Sequence, residues 1–203
     1  MKDINKFYLD NLQQFGSTAK GVGWKNDEAQ RVRFDQLFKL ITTKETFSIN
    51  DLGCGVADFV DYLSDEKVDF VYHGYDLMQE MIDRARVRYL DNKLVRFQTI
   101  SNPTEMSQAD YTIASGIFNI RFASSDEVWL DRILDTISIM DNKSTQGFAF
   151  NVLSIYSDPE FRKSELFYAD PLHLFDFCKR NFSRNVALLH DYGQYDFTII
   201  VRK

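Results

Sequence analysis

Residues 48–59, Ser-Ile-Asn-Asp-Leu-Gly-Cys-Gly-Val-Ala-Asp-Phe, run from a β-rich stretch through two glycines into a helical pattern. This strand–turn–helix step constrains the fold more than any other feature. Glycine at 53 and 55 lets backbone approach a ligand closely, and the N–H groups of the following helix point at whatever occupies the turn. Asp51 stands two residues before the first glycine, and Ala57 supplies a third small side chain. A dinucleotide site favours its third glycine three residues after the second. Here that place is Asp58, whose carboxylate would repel a pyrophosphate, so NAD and FAD are disfavoured. The next β-rich run ends Val-Tyr-His-Gly-Tyr-Asp-Leu-Met, setting Asp76 21 residues beyond Gly55. An acid at that distance is placed to accept hydrogen bonds from both hydroxyls of a ribose. Leu77 and Met78 then offer an adenine ring an apolar surface. The simpler role for Asp76 is to cap the next helix, and the two roles are compatible.

From residue 47 onward, β-rich runs alternate with helical patterns, which predicts a parallel α/β sheet. The strands read as 47–51, 68–75, 94–99, 110–115, 147–153, 185–191 and 195–201. Helices fall near 57–63, 79–90, 126–140 and 172–181. Ser125 before Asp126 and Glu127 marks one helix start, and Pro171 suits the first turn of another. Only Tyr192, Gly193 and Gln194 separate the last two strands, which predicts an antiparallel hairpin. Ahead of the sheet lie helical patterns at 4–15 and 27–41, joined by a linker holding Gly16, Gly21 and Gly23 and ending beside Trp24. These helices either cap the sheet or act as a lid.

With 203 residues, the chain reads as one domain with an appendage. Its 18 Phe and 10 Tyr against 9 Gly and 3 Pro exclude a low-complexity role. No apolar stretch approaches the ~20 residues of a membrane span, and the N-terminus lacks a signal-peptide centre. Two cysteines, Cys54 and Cys178, fit a reducing compartment, so a cytoplasmic protein is expected. The net charge is −6, and the longest basic cluster, Arg84, Arg86 and Arg88, reads as a solvated helix face. Nucleic acid is therefore not expected as a partner.

The segments DLGCGVADF, GYDLM, ADYTIASGIFNI and GFAFNVLS resemble the class I S-adenosylmethionine-dependent methyltransferases, over residues 47–203. The resemblance implies a Rossmann-like seven-stranded, mostly parallel sheet in order 3-2-1-4-5-7-6, strand 7 antiparallel, with helices on both faces. It implies a methyltransferase domain at 47–203 behind an N-terminal helical cap or lid at 1–46, and S-adenosyl-L-methionine as cofactor. Gly53, Cys54 and Gly55 would line the methionine part, with Asp51 near it. Asp76 would hold the ribose with Leu77 beside the adenine, and Ser115, Gly116 and Phe118 would lie along the cofactor. The chain departs from the family at Ala57, where a third glycine is usual. It departs again at Thr99-Ile-Ser-Asn, where an acid often meets the adenine amino group; Ser101 or backbone would take that contact. The fourth strand ends Ser-Gly-Ile-Phe-Asn, not the Asn-Pro-Pro-Tyr of enzymes that methylate amino groups of bases or glutamine. That difference argues against a DNA substrate. More loosely, the Gly-Trp linker and the C-terminal HDYGQYDFTIIVRK look like bacterial methyltransferases, some of them associated with surface-polysaccharide synthesis.

Among the remaining polar residues, Trp24, Gln30 and Arg33 stand out. A guanidinium grips a carboxylate bidentately. Arg31 and Arg33 cannot share a helix face, so Arg33 is the candidate for the methionine carboxylate and a surface salt bridge is its rival role. Asn119 and Asn151 follow strands at their carboxyl ends, where ligands gather in open α/β sheets, although Asn also serves turns. His190 closes the sixth strand and completes the catalytic candidates, while His73 and His173 read as packed or solvated. No metal-ligand spacing links the histidines to cysteines or carboxylates, so no metal site is expected. Residues 154–170 are long enough to cover a substrate or to pack their aromatics on the sheet. The expected activity is methyl transfer to an oxygen or nitrogen of a small molecule. Rival classes are a non-catalytic cofactor-binding scaffold and, third, a nicotinamide-dependent oxidoreductase.

Overall fold

The computed structural model describes residues 2–203. Its strands are β1 (Phe47–Leu52), β2 (Phe70–Asp76), β3 (Val95–Thr99), β4 (Ala109–Ala114), β5 (Ser144–Leu153), β6 (Asn185–Leu189) and β7 (Asp196–Arg202). They form one sheet in the order β3-β2-β1-β4-β5-β7-β6. Strand β7 runs antiparallel to both neighbours, and every other pairing is parallel. The helices are α1 (Lys2–Phe15), α2 (Asp27–Phe38), α3 (Asp58–Asp65), α4 (Gln79–Arg88), α5 (Asp126–Asn142) and α6 (Pro171–Asn181). This is the Rossmann-like order and polarity expected above.

Period-two alternation divides the strands between two cores. On one face Phe34, Leu37 and Leu40 from the α2 region, with Phe59 and Leu63 of α3, pack on Ile49, Tyr72, Ile113 and Ala149. On the other face Trp129, Ile133 and Ile137 of α5 and Leu174 of α6 meet Phe148, Phe150 and Ile199. A smaller cluster of Leu12, Val56, Met78 and Met81, with Tyr8 beside it, fastens α1 over the end of β2.

Local chemistry sets the helix ends. Asn26 accepts the Ala29 N–H at 2.8 Å and opens α2 with Asp27 and Glu28 in its first turn. Ser125 caps α5, and Asp170 caps α6 ahead of Pro171. Helix α2 stops at Phe38, short of residue 41, because the N–H groups of Leu40 and Ile41 bond three residues back instead of four. The final hairpin is longer than the three-residue turn expected. Tyr195 leaves the ladder because its carbonyl accepts the Ser154 N–H at 2.8 Å. Strand β5 begins three residues early, at Ser144, whose hydroxyl donates to Thr112 at 2.8 Å. Among the described residues, no helix is long and apolar enough to cross a membrane. Both cysteines are buried and free.

Candidate functional site

At the carboxyl ends of β1 and β2 the glycine turn is braced against its neighbour. Gly53, Gly55 and Ala57 all adopt positive φ, at 80°, 55° and 66°. A Cβ on Gly53 would lie 2.1 Å from Ile117, so the glycine is required there. Ala57 takes the same left-handed backbone at a cost of ~1–2 kcal/mol, offset by a methyl buried in the α2–α3 core. The N–H groups of the turn itself are taken up within the protein. Those of Gly53 and Cys54 donate to Tyr75 O, at 2.7 and 3.0 Å, and that of Gly55 to Asp76 Oδ2 at 3.0 Å. With these three donors spent, the turn is a poor cradle for a pyrophosphate, a stronger argument against a dinucleotide than the charge of Asp58. That carboxylate is held by Gln30 at 3.0 Å and by Arg88 at 2.5 Å.

The two expected carboxylates differ in setting. Asp51 is buried and accepts the Tyr72 hydroxyl at 2.6 Å. Burial pushes its pKa up to about 7, against the opposing effect of that hydrogen bond. Asp76 accepts N–H groups from Met78 at 2.9 Å and from Gly55. Burial raises its pKa too, while these backbone donors hold it back. The N-cap residue of α4 is Met78, so Asp76 braces the turn between two strands instead of capping the helix.

One cavity of about 1050 Å³ opens above these residues. Asp51, Gly53, Cys54, Gly55, Asp76, Leu77, Ser101, Ser115, Gly116 and Phe118 all line it, as do Trp24 and Arg33. Met78, Met81, Ile100 and Phe118 add apolar surface to its wall. The Ser101 hydroxyl donates to Glu105 at 2.9 Å. The thiol of Cys54 is buried and raised well above its ordinary pKa by burial, which makes it inert.

Three expectations need correction. Arg33 does face inward while Arg31 pairs with Asp65 at the surface, but its fork is occupied. Nε and Nη2 each reach Asp196 at 2.7 Å, so no bidentate grip remains for a methionine carboxylate. Asn151 is fully buried and lies outside the cavity wall. Its Oδ1 accepts the Gly116 N–H at 2.7 Å and its Nδ2 donates to Ser115 at 3.1 Å. His190 is exposed, set against Tyr156 and Phe197 and away from the cavity. Asn119 alone of the catalytic candidates lines the cavity; its Oδ1 accepts the Leu153 N–H at 3.0 Å.

Sequence reasoning missed Tyr8, Trp129, Lys163, Gln194 and Tyr195, which also line the cavity. Lys163 arrives because residues 165–167 pair with the loop after β4. Ile120 bridges Leu166, and the N–H groups of Arg121 and Phe122 both reach Glu165 O at 3.0 Å. Only Trp129 carried a sequence signal, as an aromatic on the inner face of α5. Among the described residues, no cluster of three or more His, Cys, Asp or Glu could hold a metal.

No known family profile matches the chain. It is 43% identical over 165 residues to a Mycobacterium tuberculosis protein named "Putative methyltransferase Rv1506c", covering 81% of this chain and 98% of that one. Among solved structures, the chain superposes on magnesium protoporphyrin IX methyltransferase of Synechocystis PCC 6803 with bound SAH. There the TM-score is 0.67 at 13% identity, over 98% of this chain and 96% of that one. An S-adenosylmethionine-dependent methyltransferase of Mesorhizobium loti gives a TM-score of 0.57 at 14% identity, over 85% and 98% of the two chains. The DhpI–SAH complex gives 0.63 at 12%, over 96% and 92%. These structural likenesses carry the fold, and none of the names points to polysaccharide.

Proposed function

Since the chain belongs to the class I S-adenosylmethionine-dependent methyltransferase family, we propose that it transfers the sulfonium methyl of S-adenosylmethionine to an oxygen or nitrogen of a small molecule. The supporting observation is the single cavity that joins the Asp51–Asp76 end to a second end walled by Asn119, Gln194 and Tyr195. Its volume of about 1050 Å³ leaves room for a second molecule beside a nucleoside. The residues fit the cofactor's chemistry. A buried carboxyl at Asp51 suits a cation, Asp76 keeps lone pairs for a ribose diol, and Leu77, Met78 and Ile100 suit a purine face. When bound, the cofactor supplies a methyl group on a sulfur that departs neutral.

What this chain contributes is alignment, because nucleophile, methyl carbon and leaving sulfur must stand in line; such positioning supplies as much as ~7–11 kcal/mol. Asn119 Nδ2 is placed to donate to an acceptor atom, since its Oδ1 is spent on Leu153. The buried Asn151 acts indirectly, by fixing the Ser115–Gly116 turn. Residues 1–46 are proposed as the cap, with Val22 over Gly55 and Trp24 over Gly116.

Calorimetry tests the assignment. SAH and S-adenosylmethionine should bind, NAD should not, and Asp76→Ala should weaken binding by about 1–3 kcal/mol. NAD binding equal to that of SAH would overturn it.

A further inference from the structure

Arg33 ties the N-terminal segment to a buried carboxylate far from it in sequence. Its Nε and Nη2 hold the fully buried Asp196, each at 2.7 Å, and its Nη1 donates to Ala29 O at 2.5 Å. The guanidinium carbon also sits 4.4 Å from the centroid of the Trp24 ring. That indole lies on the Gly116 turn so closely that a Cβ at 116 would be 2.7 Å from it. Asp196 directly follows Gly193, Gln194 and Tyr195, which line the acceptor end, and Gly116 borders the cofactor end. The contacts Asp196–Arg33–Trp24–Gly116 therefore tie the N-terminal segment to the start of β7 and to the turn after β4.

We infer that Arg33 is a positioning residue: anchored on Asp196, it holds the Trp24 indole against Gly116 and so fixes this stretch of the cavity wall. This deepens the methyltransferase reading and rests on it. A lysine would keep the charge but lose both the fork and the flat face that stacks on an indole. Arg33 touches no reacting atom in this account and acts through Trp24.

The chain has two tryptophans, Trp24 and Trp129, so a Trp129→Phe background leaves Trp24 as the sole indole emitter. In that background, without ligand, Arg33→Met should make Trp24 emission markedly more open to acrylamide quenching, with Arg33→Lys in between. Unchanged quenching in a folded Arg33→Met variant would overturn the inference whatever the protein binds. The second arm uses SAH calorimetry on otherwise native protein. Arg33→Met should lower affinity about tenfold, yet by less than about twofold when added to Trp24→Ala, because both changes remove the same wall contact. A full loss on top of Trp24→Ala would mean that Arg33 grips the ligand directly and would also overturn it. Absence of SAH binding by the native chain would instead sink the functional reading, leaving the quenching result to stand on its own. Asp196→Asn should copy Arg33→Met in both arms if it folds; the Arg33 variants decide the matter if it does not.

Discussion

Asp51 keeps one hydrogen bond, from Tyr72, in buried surroundings that also feel the charges of Asp76 and Asp58. Its carboxyl therefore binds a proton up to about pH 7 in the folded chain, whereas the unfolded chain releases it near 4. The folded state holds more protons across that window, so this residue's contribution to stability falls as pH rises from about 4 to 7 and is lost above it. A cationic ligand needs the carboxylate, and its binding should strengthen over the same window. Asp51→Asn should flatten the pH dependence of S-adenosylmethionine affinity between about pH 5.5 and 7 and raise stability at pH 8 in urea titrations. An unaltered pH profile would remove Asp51 from the binding step. Asn151 supports a different prediction. Asn151→Ala leaves the Gly116 N–H without its partner, which should cost about 1–3 kcal/mol in urea unfolding and also weaken SAH binding. The sequence marked Asn151 as polar at a strand end. It did not show that the side chain turns inward, because that depends on the partners Ser115 and Gly116 in the turn after β4.

Between helices α1 and α2, the glycine-bearing linker is folded tightly instead of hanging loose. The Gly16 N–H reaches Leu12 O, that of Val22 reaches Thr18 O, and that of Trp24 reaches Ala19 O at 2.8 Å. Gly21 comes so near Gly16 that a Cβ there would stand 1.9 Å from its carbonyl oxygen. Such a segment is held by a few local bonds and by Val22 and Trp24 resting on the glycine turns, so a ligand in the cavity beneath it adds to what keeps it closed. Adding SAH should slow hydrogen exchange across residues 16–33 more than across β5, and equal rates would make the segment a static cap. The seven strands and the antiparallel last pair were legible because β-rich runs alternate with helical patterns and the last two are joined too closely for a helix. Their order in the sheet followed only from the resemblance of the motifs to the family. Element ends were less legible. Tyr195 leaves β7 for a bond to Ser154 that no local pattern records.

At the scale of the whole molecule, the two ends of the cavity differ in how they are encoded. The Asp51–Asp76 end is written in one strand–turn–helix–strand unit, and its residues could be named from spacing alone. The other end is assembled from the loop after β4, residues 163–166, the hairpin at 193–195 and the N-terminal segment, so spacing says nothing of it. Arg33 shows the difference, since its type and inward direction could be read while its partner lies 163 residues away.

Strand β7 enters the sheet between β5 and β6, two strands that precede it in the chain. Its pairing with β6 is a local hairpin, Leu189 meeting Thr198, whereas its pairing with β5 joins Gly147 to Arg202 across the intervening helix. Pairings of longer sequence separation form more slowly, because the closure entropy comes before the reward. The glycine turn and Asp76 are synthesised well before β7 on a growing chain. Arg33 comes earlier still, but its counter-charge opens β7, so the cation must wait in solvent or in a loosened core until synthesis passes residue 196. The order of synthesis therefore delivers Asp51 and Asp76 well before the carboxylate that holds Arg33.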